Sequence, residues 1–217
     1  MRKYIDLHFR PSTPDKVKEM LTLASELGYG QVASTIQATG VDSRITIAAR
    51  LDLEAKRSRE LLDALNKSRR RFDIIAVKCL TKEVARQAAK DDRVDILKFP
   101  DDPTLRKHNW LDHHEAELVE GTERAYEVDA CDLIANSPTH LAKVINQIKR
   151  DLAVAAKHDI NIILSSGAST PLAMREPRAL TALASLLDIE EDCATDMIST
   201  IPEAILRRNR AKLEEEL

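Results

Sequence analysis

Asp6 and His8 are the residues from which metal or acid–base chemistry would start. Two apart on an apolar run, both side chains point to one face of a strand near its C-terminal end, where barrel sites are built. A hydrolytic metal site would need further ligands from other strand ends, for which Asp52 and Asp129 are candidates. No second His-x-His pair is present: His108, His113 and His114 fall in a polar loop, and His140 and His158 at opposite ends of a helical segment. Asp6 and His8 are therefore weak metal candidates, open also to a structural hydrogen-bonded pair or an RNA contact. No metal or other cofactor is expected on the chain.

The second group of residues is cationic. Arg10 follows the first strand segment, Arg50 lies in the third, and Lys78 and Lys98 end the fourth and fifth, which would gather them at one barrel mouth. Phosphate binding needs only such clustered donors, whereas pairing with neighbouring acids would make them structural. Ser165, Ser166, Gly167 and Ala168 end a buried strand in small residues whose N–H groups can form an anion-binding concavity. Arg175 and Arg178 flank Pro177, which opens a helix where a cation is unfavourable unless an anion joins it. RNA phosphate, an acidic partner surface or Glu176 could be that anion. Two further runs, Lys67 with Arg69, Arg70 and Arg71, and Arg207, Arg208 and Arg210 with Lys212, are mostly arginine. Arginine suits bidentate phosphate contact, against the alternative of a solvated face. Neither GxGxxG, GxxxxGK[ST] nor GxSxG occurs, and no cysteine lies in a nucleophile motif, so nucleotide-dependent and nucleophilic enzymes lack support.

These residues need a scaffold that brings strand ends together. β-favouring apolar runs recur at 4–8, 31–35, 45–51, 73–78, 94–98, 126–129 and 160–165, mostly separated by helical patterns. Thr13 before Pro14 caps a helix whose apolar face is Val17, Met20, Leu21, Ala24 and Leu27, and Gly28 closes it. A longer helix from Ser137 and Pro138 aligns Leu141, Val144, Ile145, Ile148, Leu152, Ala155 and Ala156. Strand–helix alternation predicts an α/β fold: one domain over 1–217, a distorted TIM-like barrel of about seven mostly parallel strands. Residues 38–43 are short for a parallel crossover, so the second and third strands are expected to form a hairpin or to include an irregular member. After Ser166 the pattern is helical, over 178–187, 191–199 and 202–213, with no eighth strand; 214–216 reads as a solvated tail.

Composition agrees. The chain has 217 residues, 43% hydrophobic, with 33 Lys and Arg against 36 Asp and Glu, so any nucleic-acid surface must come from local concentration of charge. Three Phe, three Tyr and one Trp are too few for a base-stacking sheet. Three cysteines without CxxC spacing, no membrane-length apolar run and no signal-like N-terminus lead to the expectation of a cytoplasmic protein with reduced thiols and no membrane contact.

Taken in order, Asp6-Leu7-His8, Val94-Asp95-Ile96-Leu97, Leu164-Ser165-Ser166-Gly167-Ala168, Arg175 with Pro177-Arg178, and Ser199, Pro202, Ile205 and Leu206 carry a resemblance to a known family. The chain resembles the archaeal ribonuclease P protein component 3 family, counterpart of a small eukaryotic ribonuclease P subunit. The resemblance implies a barrel related to polymerase-and-histidinol-phosphatase metal hydrolases but without a complete metal site. It implies a protein subunit of the ribonucleoprotein endoribonuclease that removes the 5′ leader of precursor tRNA. In that family the RNA subunit supplies the active site, with magnesium expected there, and the protein pairs with component 2; the isolated chain should be inactive. The alternatives are a free-standing metal-dependent phosphoesterase of the related superfamily and a scaffold without nucleic acid. Alternation of acids with Leu187, Ile189, Met197 and Ile198 over 186–201 gives the expectation of an apolar patch with a charged rim, suited to docking component 2.

Overall fold

The computed structural model describes residues 2–37, 45–100, 102, 105–134 and 138–215. The strands are β1 Tyr4–Phe9, β2 Tyr29–Ser34, β3 Thr46–Glu54, β4 Ile74–Lys78, β5 Ile96–Lys98, β6 Ala125–Asp129 and β7 Asn161–Ser165. The helices are α1 Pro14–Glu26, α2 Ser58–Ser68, α3 Lys82–Lys90, α4 His113–Val119, α5 Ala130–Ile134, α6 Pro138–Lys157, α7 Pro177–Ala184, α8 Glu191–Met197 and α9 Thr200–Glu215. The sheet follows chain order from β1 to β7, and every adjacent pair is parallel. A parallel bridge between Phe9 and Ala168, with Arg10 N–H donating to Ala168 O at 2.8 Å, nearly closes the barrel between its first and last strands.

The β2–β3 pair is not a hairpin: Gln31 pairs Thr46, Val32 pairs Ile47, and the ladder runs parallel. The stretch 35–45 can reach back because an extended chain advances up to about 3.5 Å per residue, more than the length of a six-residue strand in total. Residues 38–43, and Ser137 ahead of α6, lie outside the described residues.

Alternation along the strands sorts the interior into two layers. Ile5, Leu7, Ala33, Ala48, Ile74, Ala76, Ile96, Ala125 and Ile163 fill the lower layer, which Ile205 and Leu206 of α9 close from beneath. Burying each of these two side chains contributes about 1.5–3 kcal/mol. Two contacts hold α9 at the N-terminal strand ends: Asn209 Nδ2 donates to Asp73 O at 2.8 Å, and Arg208 donates to Asp95 at 2.5 Å. Above that floor, continuing the same inward faces, come Arg50 and Asp52, Lys98, Glu127 and Asp129, and Ser165. The helices pack their apolar stripes on the outside of the sheet. Thr13 Oγ1 accepts from Lys16 N–H as the α1 cap.

Two expected apolar surfaces are corrected. On α6, Ala156 is exposed, and the buried position is instead Asp151, which accepts from Arg106 and from the Tyr126 hydroxyl. In 186–201, Leu187, Met197 and Ile198 are buried in the chain's own core and Ile189 packs against it, leaving Leu186 as the exposed large aliphatic. These helices are consumed in closing the barrel, with Ile5 N–H donating to Ile198 O at 2.8 Å. No described helix is long and apolar enough to cross a membrane.

Candidate functional site

The polar upper layer is an ion network. A register shift in β1 between Asp6 and Phe9 separates the two residues that alternation alone would put side by side. Asp6 turns to backbone, accepting from His8 N–H at 3.0 Å and from Ser166 N–H at 3.1 and 3.2 Å. The His8 ring instead reaches two other carboxylates, Asp129 from Nδ1 at 2.8 Å and Asp52 from Nε2 at 3.0 Å. Arg50, 1% exposed, forks onto Glu127 at 2.7 and 2.5 Å, gives Nε to Asp52 at 2.7 Å and donates to Leu7 O at 2.7 Å. Lys98, 9% exposed, places its ammonium on Asp129 and on Asp132 at 3.3 Å. Ser165 Oγ donates to Glu127 at 2.8 Å.

The charges control one another. Burial raises a carboxyl pKa and does so for Asp6, but at Asp129 the His8 and Lys98 cations outweigh burial and hold the carboxyl well below its usual range. Asp52 is likewise held low, against its burial, by Arg50 and His8. At His8 burial and the Arg50 charge oppose the imidazolium, yet Asp129 and Glu127 prevail and the pKa is raised. A raised histidine stabilises the fold fully below its unfolded value of about 6.5, and that stability is lost as pH rises through the folded value. Depressed Asp52 and Asp129 act in the other direction, stabilising above about pH 3.9 and losing this as pH falls; Asp6 opposes them there. Urea unfolding should therefore show stability declining as pH rises above about 6.5. His8→Gln should flatten that limb, and an unchanged slope in the variant would refute the assignment to His8.

His8, Glu127 and Asp129 offer ligand atoms within 4.8 Å of one another, as do Asp129, Cys131 and Asp132. A metal does not fit the first set as it stands. Both His8 nitrogens, both Glu127 oxygens and both Asp129 oxygens are already engaged by groups of the chain. Cys131, in the second set, receives Arg10 at 3.0 Å, and burial beside Asp132 and Asp129 pushes its thiol up to about 12, which leaves it unreactive.

Several residues expected to contact RNA lie within this network or are paired beside it. Arg50 and Lys98 are buried and spent on carboxylates, and Ser165 and Ser166 are buried with their donors on Glu127 and Asp6, so the anion held by that loop is a protein side chain. Arg10 is exposed but donates to Gly167 O at 3.0 and 2.7 Å, and Lys78 pairs with Glu54 at 2.7 Å. Arg69 serves Asp95 at 2.6 Å together with three backbone carbonyls, and Arg208 meets the same Asp95. The two basic runs thus converge beneath the barrel. The Arg175 carbonyl accepts the Tyr29 hydroxyl, and its guanidinium donates to Leu172 O and Met174 O. Pro177 does open α7, with Arg178 exposed in a 660 Å³ cleft that also includes Arg2, Lys3, Tyr4 and Glu176. Arg70 and Arg207 are exposed and Arg210 half-buried. Glu127 was absent from the sequence-derived candidates, although its spacing from Asp129 on one strand face was a usable signal.

The family model described as RNase P subunit p30 matches residues 3–214. Ribonuclease P protein component 3 of Methanosarcina barkeri is 27% identical over 213 residues, spanning 94% of this chain and 88% of the relative. The Methanothermobacter thermautotrophicus protein of the same name is 25% identical over 221 residues, 95% of this chain and 89% of that one. Among solved structures, a chain of archaeal ribonuclease P with mature tRNA superposes with a TM-score of 0.77 at 21% identity, covering 94% of this chain and 90% of the other. Histidinol phosphate phosphatase from Lactococcus lactis, complexed with zinc, L-histidinol and phosphate, has a TM-score of 0.52 at 12% identity, over 86% and 93%.

Proposed function

We infer, from a chain that belongs to the RNase P subunit p30 family and is a protein subunit of ribonuclease P, that it supports RNA-catalysed removal of the 5′ leader from precursor tRNA through its basic base rather than its barrel mouth. The family match over residues 3–214 carries the reading. The distribution of unspent cations supports contacts at the base. At the mouth Arg50 and Lys98 are spent on internal carboxylates, Arg10 donates to Gly167 O and Lys78 pairs with Glu54, whereas Arg178, Arg207 and Arg210 sit around the N-terminal strand ends with fewer protein demands on them. The RNA subunit and its magnesium perform the cleavage, component 2 is the protein partner, and three free thiols suit the cytoplasm. A free-standing phosphoesterase is disfavoured because the donors that would build its metal centre are held by the chain's own cations.

Reconstitution tests the assignment. Precursor-tRNA cleavage by the RNA subunit with component 2 should need less magnesium when this protein is added, and the protein alone should cleave nothing. Replacing Arg178, Arg207 and Arg210 together by Ala should weaken assembly and flatten its log–log salt dependence by about 2–3, since each lost phosphate contact contributes about 0.7–0.9. Arg10→Ala with Lys78→Ala should change it less. The reverse ranking would move the RNA surface to the mouth, and RNA-free cleavage would overturn the role itself.

A further inference from the structure

We propose that the Lys98 ammonium stands in the place of a divalent cation, so that the barrel mouth is a metal site closed by the chain itself. Two overlapping donor sets share Asp129: His8 with Glu127, and Cys131 with Asp132, each compact enough for its atoms to surround one ion. In the first, Arg50 holds both Glu127 oxygens. In the second, Lys98 bridges Asp129 and Asp132. An ammonium supplies a compact point charge at the centre of a carboxylate set, as a metal would, but offers no open coordination position.

Single positive charges from the side chains thus do the electrostatic work of an ion. Removing the Lys98 charge while keeping the stem would leave Asp129 buried with Asp132 and Cys131 beside it and a space between them. Asp129 would keep the His8 ring, but the two carboxylates would lose the cation between them, a deficit that a divalent ion relieves. The mixed oxygen and sulfur donors suit zinc, and the oxygens alone suit manganese.

Lys98→Met isolates the claim, using the full-length chain stripped with chelator and titrated calorimetrically with Mn²⁺ and with Zn²⁺. The variant should bind one ion about a hundredfold more tightly than the wild type, with the site abolished by adding Asp129→Asn. Its melting temperature should rise with metal, while that of the wild type stays unchanged by metal or chelator. Lys98→Arg, which keeps the charge, should behave as the wild type does. Wild-type binding of an ion that Asp129→Asn removes would overturn the proposal, as would a Lys98→Met chain that binds no better than wild type. Should Lys98→Met not fold without metal, recovery of the fold on adding either ion supports the proposal. Lys98→Gln then supplies the binding comparison, and failure of that variant to bind overturns it. None of these readouts needs RNA, so they stand apart from the ribonuclease P assay.

Discussion

Arg50→Met should cost about 3–5 kcal/mol of folding free energy in urea unfolding, the range for breaking a buried ion pair from one side. The guanidinium makes four hydrogen bonds, to Glu127 through both terminal nitrogens, to Asp52 and to Leu7 O, and its side chain is fully enclosed. Its loss leaves the completely buried Glu127 carboxylate with the Ser165 hydroxyl and the His8 ring, whose Nδ1 lies 3.6 Å away. The cost should come mostly from that stranded charge rather than from the lost attraction. Arg50→Met combined with Glu127→Leu should therefore recover part of the stability, although Leu7 O and Asp52 still lose a donor. A single-variant cost below about 1 kcal/mol would mean that water reaches Glu127 and the network is not sealed.

Gly167→Ala should be comparably damaging, at about 2–5 kcal/mol. Gly167 has φ +62°, a left-handed conformation that costs a non-glycine residue about 1–2 kcal/mol. An added Cβ would also stand 2.6 Å from Cys131 Sγ and 2.8 Å from Asp129 Cγ, and Asp129 cannot yield because His8 and Lys98 fix both of its oxygens. Overpacking of this kind adds about 1–3 kcal/mol. Gly121→Ala is the control: φ there is +71°, with nothing within 4 Å of the added carbon, so only the backbone cost should appear. Equal costs for the two variants would show that the contact with the ion network is unimportant.

The seven strands were legible because each is a short apolar run bounded by helix or turn signals, and the expected and observed boundaries differ by only a few residues. Polar residues at every second position inside such runs, Arg50 and Asp52 after Ala48, Glu127 and Asp129 after Ala125, mark an inward face that turns from apolar to charged along the strand. What that pattern does not encode is pairing. Arg50 meets Glu127 across the barrel through tertiary register, and a cation at a strand end reads the same whether it faces RNA or a carboxylate. The displacement of Asp6 from His8 was hidden for a related reason, since the irregularity in β1 shows only in its pairing register against β2. The β2–β3 crossover escaped because chain length, without a helix pattern, does not fix strand direction.

Closure by late partners also sets a timetable for synthesis. β1 is made first, yet Ile5 hydrogen-bonds to Ile198 and Phe9 bridges to Ala168. At ribosomal rates of about 5–20 residues per second, the emerging chain spends roughly ten to thirty seconds with one side of its first strand unsatisfied. Through that interval the aliphatic floor around Ile74, Ile96 and Ile163 also lacks Ile205 and Leu206. An open edge over an uncovered apolar layer is a template for misassociation, so protection of the nascent chain until residues 168–206 are made should raise the yield of this protein.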